Sequence, residues 1–295
     1  MRIAYFGTPR DAVPALEALA DDHDVAIVVT QPDRRRGRGS DLVPSPVKVA
    51  AIERAIPVLT PTKAREVIDD VRAAKVDIGV VVAFGQLLPV DLLEAAPMGF
   101  VNVHFSLLPR WRGAAPVERA LLAGDPETGV DIMAMEQGLD TGAVYAEART
   151  AITDTDTAGS LHERLVAMGT ELLLHTLPTI SSTTPTEQKG EAVYADKLNV
   201  EEFAIDWSLA AVDIDRLVRA GNPRPGAFTA ANGKRLKVWR TTLADGVLAP
   251  GMVDANGRVG TGDGVIVLEE VQPEGKARMS GQAWRAGVRG ELTFG

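Results

Sequence analysis

Phe100-Val-Asn-Val-His-Phe-Ser-Leu-Leu-Pro-Arg-Trp-Arg-Gly-Ala-Ala-Pro116 opens as a strand and closes as the start of a helix. Val101, Val103 and Phe105 alternate with Asn102 and His104. A period of two therefore puts the amide and the imidazole on one face, about 7 Å apart along the chain. Polar groups repeated on one face of an apolar strand are costly if buried unpaired, so they are either satisfied structurally or line a site. After Phe105 the chain leaves the strand through Ser106 to Pro109. It then passes Gly113-Ala114-Ala115, which admits close backbone approach, and restarts as a helix with Pro116 in its first turn. Loops at strand ends are where α/β sheets keep their chemistry.

Upstream, Arg2 to Phe6 reads as a buried strand that Gly7-Thr8-Pro9 breaks before a helical pattern from Asp11 to Ala20. A single glycine in that turn, where a dinucleotide fingerprint needs three, argues against a nicotinamide cofactor. Asp24 to Thr30 is a second strand, and a loop from Gln31 to Ser45 follows. Ser45-Pro46 then has the form of an N-cap and first helical position for Val47 to Ala55. Ile78 to Ala83 is a strongly apolar central strand, and Leu92 to Ala95 a short helix. The alternation predicts a doubly wound α/β domain with a mostly parallel sheet.

Downstream, a helix around Val117 to Ala123 precedes strands at Val130 to Met135 and Val144 to Ala148, which flank Gly138-Leu139-Asp140-Thr141-Gly142. A long helical pattern from Leu161 to Leu177 closes the domain, and Pro178 to Pro185 is Ser/Thr/Pro-rich, as in a linker. Beyond a helix near Ala210 to Ala220, short apolar segments at Leu236 to Trp239, Gly251 to Asp254 and Val265 to Leu268 recur between Gly, Asn and Asp turns. These predict a small β-barrel of OB-like character. The expected organisation is a first domain over 1–180, a linker over 181–203 and a β-barrel over 204–295.

At 295 residues and 45% hydrophobic content the chain can bury two cores. It has no cysteine, which excludes disulfides, thiolate metal sites and cysteine nucleophiles. The apolar run at Met1 to Gly7 is too short for a signal peptide and no segment approaches the ~20 apolar residues of a membrane span, so a soluble, cytoplasmic protein is expected. A net charge of −9 argues against a nucleic-acid partner, but the charge is uneven. Residues 204–295 carry 12 Lys+Arg against 10 Asp+Glu, while residues 1–203 carry 19 against 30. Within the acidic part, Arg34, Arg35, Arg36 and Arg38 crowd into five positions. One reading makes them a solvated surface run; the other, a concentrated phosphate-binding patch.

Asn102, His104 and Asp140 have the chemistry of an acyl-transfer site. An amide can donate to a developing oxyanion, an imidazole can hold or donate a proton near neutrality, and a carboxylate can orient that imidazole or accept a proton. No nucleophilic side chain is needed if the substrate brings an amine. The plainer reading makes Asn102 a loop cap, His104 a satisfied core histidine and Asp140 a turn residue. His23 lies in an acidic turn, and His162 and His175 fall in the long helix, so each reads as surface or packing. No histidine and carboxylate set has metal-site spacing, and no metal is expected.

Taken together, Asn102-x-His104-x-Ser106-Leu107-Leu108-Pro109, Gly113-Ala114-Ala115-Pro116 and Gly138-Leu139-Asp140-Thr141-Gly142 resemble the formyltransferases that use 10-formyltetrahydrofolate. The likeness extends to Phe6 to Pro9, Gln31-Pro32-Asp33, Gly37-Arg38-Gly39, Pro44 to Lys48, Ile205 to Ser208 and Asn222-Pro223, nearly the whole chain. It implies a Rossmann-like catalytic domain, a C-terminal barrel and an inserted loop that grips a tRNA acceptor arm through Arg34, Arg35, Arg36 and Arg38. Ser40 and Asp41 depart from the lysines common there. The implied reaction moves a formyl group from 10-formyltetrahydrofolate to the α-amine of initiator methionyl-tRNA, in a monomer without metal. Asn102 and His104 would stabilise the oxyanion, and Asp140 would position His104 and help remove the amine proton. Phe84, Gly85, Gln86, Leu87, Ser106, Leu107, Leu108 and Pro109 would form the folate pocket. Transfer to a small amine such as a sugar nucleotide or glycinamide ribonucleotide, and a noncatalytic RNA- or folate-binding module, are the alternatives.

Overall fold

The computed structural model describes residues 1–35 and 42–294, and the chain divides into two compact units. The first comprises Met1–Pro116, Glu127–Ala151 and His162–Asp196; the second comprises Val117–Pro126, Ile152–Leu161 and Lys197–Gly295.

The first unit is built on a seven-stranded sheet: β1 (Arg2–Gly7), β2 (Asp24–Val29), β3 (Val58–Leu59), β4 (Ile78–Val82), β5 (Phe100–His104), β6 (Glu127–Ala134) and β7 (Val144–Ala151). The spatial order is β7-β6-β5-β4-β1-β2-β3, parallel from β5 to β3, with β6 antiparallel to β5 and β7 antiparallel to β6. Strand order reverses at β1, so the crevice beyond the carboxyl ends of β1 and β4 is the topological switch point. This is the expected doubly wound α/β sheet.

Helices α1 (Val13–Asp22), α2 (Pro46–Glu53), α3 (Ile68–Ala73) and α4 (Val90–Leu93) alternate with the strands. Ser45 caps α2 as anticipated, its Oγ accepting from Lys48 N at 3.0 Å, with Pro46 at the first helical position. α5 (Pro116–Ala123) starts at Pro116, as predicted, and α6 (Ala158–Thr176) is the long helix. Phe6, buried in β1, meets Phe84 and Phe100 edge-on at 5.3 and 5.4 Å, anchoring the loop after β4 to β5. On the opposite face α6 lies against β5 at Gly169, where an added Cβ would come within 2.8 Å of Val103 Cγ1. Val103 thus packs inward while Asn102 and His104 face the other way.

Residues 181–196, expected as part of a linker, are laid along the first unit. Thr186 bridges to Val144, and Tyr194–Ala195 pairs in parallel with Arg112–Gly113. Arg112 N donates to Val193 O at 2.9 Å and Ala114 N to Ala195 O at 2.8 Å. These are main-chain bonds, which side-chain polarity does not report. The Gln31 to Ser45 loop also departs from expectation: Arg34–Arg35 and Leu42–Val43 form a short antiparallel ribbon.

The second unit is a curled antiparallel sheet of half-barrel form: β8 (Ala227–Ala231), β9 (Lys234–Ala244), β10 (Met252–Val253), β11 (Arg258–Gly260), β12 (Val265–Pro273) and β13 (Leu292–Thr293), ordered β8-β9-β12-β11-β10-β13. It carries α7 (Ala211–Ala220) and α8 (Gly281–Ala286). Register shifts around Arg240 bend β9 against β12, a bulge that increases twist and closes the sheet toward a barrel. Its core includes Trp207, Ile214, Val238, Ile266 and Trp284. Phe294 stacks on Trp207 at 4.9 Å and on Trp284 at 5.9 Å. β9 and β12 run well past the apolar segments that predicted them, because ladder pairing continues through the polar residues at their ends. Among the described residues no helix is long and apolar enough to cross a membrane.

Candidate active site

β5 ends at the carboxyl edge of the sheet, and its last polar residues are the two singled out from the sequence. Asn102 stands between Val81 of β4 and Met133 of β6; His104 stands opposite Asp131 of β6. His104 is buried and Asn102 half-buried. The Asn102 side chain forms no hydrogen bond to another described residue, so its amide is unengaged on the face it shares with His104.

The loop after β5 folds back over His104. His104 Nε2 lies 3.0 Å from Trp111 O, and a carbonyl only accepts, so this nitrogen carries the proton in the neutral ring. Nδ1 then faces Asp140 Oδ2 at 3.7 Å, too long for a hydrogen bond and close enough for a proton on Nδ1 to lie against the carboxylate. Asp140 Oδ2 also accepts from Gly113 N at 2.8 Å, so one carboxylate ties the Gly138–Gly142 turn to the Arg112–Gly113 segment. Asp140 itself sits at φ 52, a left-handed conformation that aspartate tolerates better than most residues. The turn is clamped from a third side: Gln188 Nε2 donates to Asp140 O at 2.9 Å and to Gly142 O at 2.7 Å. Gln188 Oε1 accepts from Arg112 Nε and Nη2 at 3.0 and 2.6 Å.

The fold therefore brings His104 and Asp140, 36 positions apart in the sequence, into one cluster, with Asn102 on the same strand face as His104. Gln188 was invisible to sequence reading because it lies in the stretch 181–203 that reads as a linker. Asp131 had a signal, a carboxylate inside an otherwise apolar strand.

The residues anticipated for a folate pocket fall in two places. Leu107, Leu108 and Pro109 are half-buried in the loop over His104, while Ser106 is fully buried and donates to Arg110 O at 2.7 Å. Phe84 is buried in the core, and its carbonyl accepts from Thr8 Oγ1 at 3.0 Å and Gln31 Nε2 at 3.2 Å. Gly85 is exposed at φ 81, Gln86 accepts through Oε1 from Ala64 N at 2.7 Å, and Leu87 is exposed. At the switch point a cleft of about 250 Å³ is lined by Thr8, Gln31, Arg34, Ala83 and Gly85, among others. Arg34 Nη2 donates to Gln31 Oε1 at 2.9 Å, so the arginine ribbon borders this cleft. Arg34 and Arg35 are exposed; Arg36 and Arg38 lie outside the described residues.

Residues 1–177 match the family model described as formyl transferase, and residues 197–289 match the formyl transferase C-terminal domain. A methionyl-tRNA formyltransferase of Paracoccus denitrificans is 47% identical over 281 residues, covering 95% of both chains. One from Thermus thermophilus is 45% identical over 293 residues, covering 97% of this chain and 96% of its own. The solved methionyl-tRNA formyltransferase from Clostridium thermocellum shares the fold, with TM-score 0.60 and 18% identity over 83% of this chain and 94% of that one. With both family models matched in order and relatives similar along almost their full length, the chain belongs to the formyl transferase family.

Proposed function

We propose that this chain is a methionyl-tRNA formyltransferase, which transfers the formyl group of 10-formyltetrahydrofolate to the α-amine of initiator methionyl-tRNA. The observation that carries this reading is the full-length similarity to relatives of that name, 47% identical over 95% of both chains. The substrate amine attacks the formyl carbon, a tetrahedral oxyanion forms, the bond to the folate nitrogen breaks and the amine proton leaves. Asn102 donates to the oxyanion from its unengaged amide. His104 acts through Nδ1, since its Nε2–H is held by the Trp111 carbonyl. Asp140, 3.7 Å from Nδ1, stabilises the protonated ring and helps take the amine proton. The two loops after β4 and β5, Phe84 to Leu87 and Ser106 to Pro109, form the donor pocket, mostly through backbone groups. Phe84 and Ser106, both buried, support it from behind.

Arg34 and Arg35, with Arg36 and Arg38, form the tRNA grip of the first domain, 1–180, and residues 204–295 add a weaker, nonspecific attraction from a net charge of +2. The protein acts as a cytoplasmic monomer. The decisive experiment is formylation of methionyl-tRNA by purified protein with the folate donor, against free sugar-nucleotide and glycinamide ribonucleotide amines. Efficient transfer to a small amine and none to methionyl-tRNA would overturn the proposal. Replacing Arg34 and Arg35 together by alanine is expected to weaken methionyl-tRNA binding and reduce its salt slope by up to about two, roughly one per lost phosphate contact, with donor affinity unchanged. A salt series of tRNA affinities checks this.

A further inference from the structure

Two hydrogen bonds already described fold the Ser106–Gly113 loop over the end of β5, from His104 and from Ser106. A third comes from β6. Asp131, fully buried and opposite His104 in the strand register, accepts from Leu108 N through Oδ2 at 2.7 Å. On the same strand face, Gly129 provides the space in which Leu107 lies: an added Cβ there would come 2.4 Å from Leu107 Cδ2. β6 thus offers the loop a seat for one leucine side chain and an acceptor for the next residue's amide. The second carboxylate oxygen, Oδ1, has no hydrogen-bond partner among the described residues. No step of the proposed reaction uses this carboxyl.

We propose that Asp131 is a positioning residue for the formyl donor: its carboxylate clamps the Leu107–Leu108 backbone from beneath and so sets the wall against which the folate binds. The proposal rests on the reading of Ser106 to Pro109 as donor pocket. Asp131 acts on the donor through the loop and touches no reacting atom, so its effect falls on donor affinity and leaves the chemical step alone.

The clamp is sensitive to pH. The charged and titratable groups that face Asp131 are His104 on β5 and Glu147 and Arg149 on β7. Burial, assisted by the Glu147 charge, pushes Asp131 up to about 7, against the opposing pull of the Leu108 amide and Arg149. An ionised carboxylate accepts a stronger hydrogen bond than a neutral acid. The loop is therefore held tightly above pH 7 and loosens below it.

The test follows the Leu108 amide proton by NMR in the full chain from pH 5.5 to 8.5, alongside tetrahydrofolate affinity and the donor KM, for wild type and Asp131→Asn. In wild type the Leu108 shift is expected to titrate with a midpoint near 7. Donor KM and folate Kd are expected to rise roughly three- to tenfold from pH 8 to pH 6, the worth of one weakened hydrogen bond, with little change in single-turnover rate at saturating donor. In Asp131→Asn the Leu108 titration disappears and the extra pH dependence of donor affinity goes with it. A flat Leu108 shift in wild type, or one that titrates equally in Asp131→Asn, overturns the clamp. A Leu108 shift that titrates while folate affinity is identical in both proteins at every pH overturns the link to the donor. A chain that binds no folate although Leu108 titrates shows instead that the donor-pocket reading has failed, because the amide signal needs no turnover.

Discussion

With its Nε2–H bound to the Trp111 carbonyl, His104 presents Nδ1 toward Asp140, whose carboxylate also accepts the Gly113 amide. If these groups act as proposed, Asn102→Ala and His104→Ala should each lower the single-turnover formylation rate by about 10² to 10³ while folate still binds. Asp140→Asn keeps an acceptor for Gly113 and removes the charge, whereas Asp140→Ala removes both. The alanine variant should therefore lose more than the asparagine one, and near wild-type rates for two of the three positions would refute the assignment. Asp131 carries a separate expectation for stability. Its carboxyl is raised from 3.8 to about 7 in the folded chain, mainly by burial, so the native state holds this proton more tightly than the unfolded state does. That stability is fully present below pH 4 and is lost as pH rises to about 7, on the order of 4 kcal/mol in all. Asp131→Asn cannot lose it. Denaturant melts should show wild type falling relative to Asp131→Asn between pH 4 and 7 and running parallel to it above that range.

The cap of α2 is the element most directly open to test. Ser45 is buried, accepts from Lys48 N at 3.0 Å, and shares a 2.7 Å hydrogen bond with the buried Thr30 hydroxyl at the end of β2. Ser45→Ala removes the cap and leaves Thr30 Oγ1 without that partner. Each loss costs about 1 kcal/mol, so the variant should lose roughly 2 kcal/mol by equilibrium unfolding. Ser45→Thr should recover most of it. A loss within error of zero would mean that water replaces both bonds.

The second unit has a core of its own: every buried residue of its main cluster lies between Ile205 and Phe294. A fragment of residues 197–295 is accordingly expected to fold alone, with a β-rich circular dichroism spectrum and a cooperative melt. It should be less stable than the whole unit, because it lacks 117–126 and 152–161 and with them the Arg119–Glu202 ion pair at 2.8 Å. A spectrum without β signal, or a non-cooperative melt, would show that those segments are required for folding.

Local pattern in the sequence determined β1, β2, β4, β5, the Ser45 cap, the long helix and the change to short strands after Ala220. In each, hydrophobic period and turn chemistry agree over one element, and neighbouring residues supply the signal. The same-face pairing of Asn102 and His104 was legible for that reason, since strand alternation needs no knowledge of the fold. Three features were decided only by tertiary structure. Asp140 reaches His104 because the Gly138–Gly142 turn lies beside Arg112–Gly113, an arrangement held by Gln188 from a stretch that reads as linker. The extension of β9 and β12 through polar residues depends on ladder partners distant in sequence. Asp131 was assigned no role from the sequence, because the Leu108 amide it accepts from is 23 positions away on another segment. Hydropathy records which side chains leave water, but a backbone N–H offered by a distant loop has no signature in the sequence of the residue that accepts it.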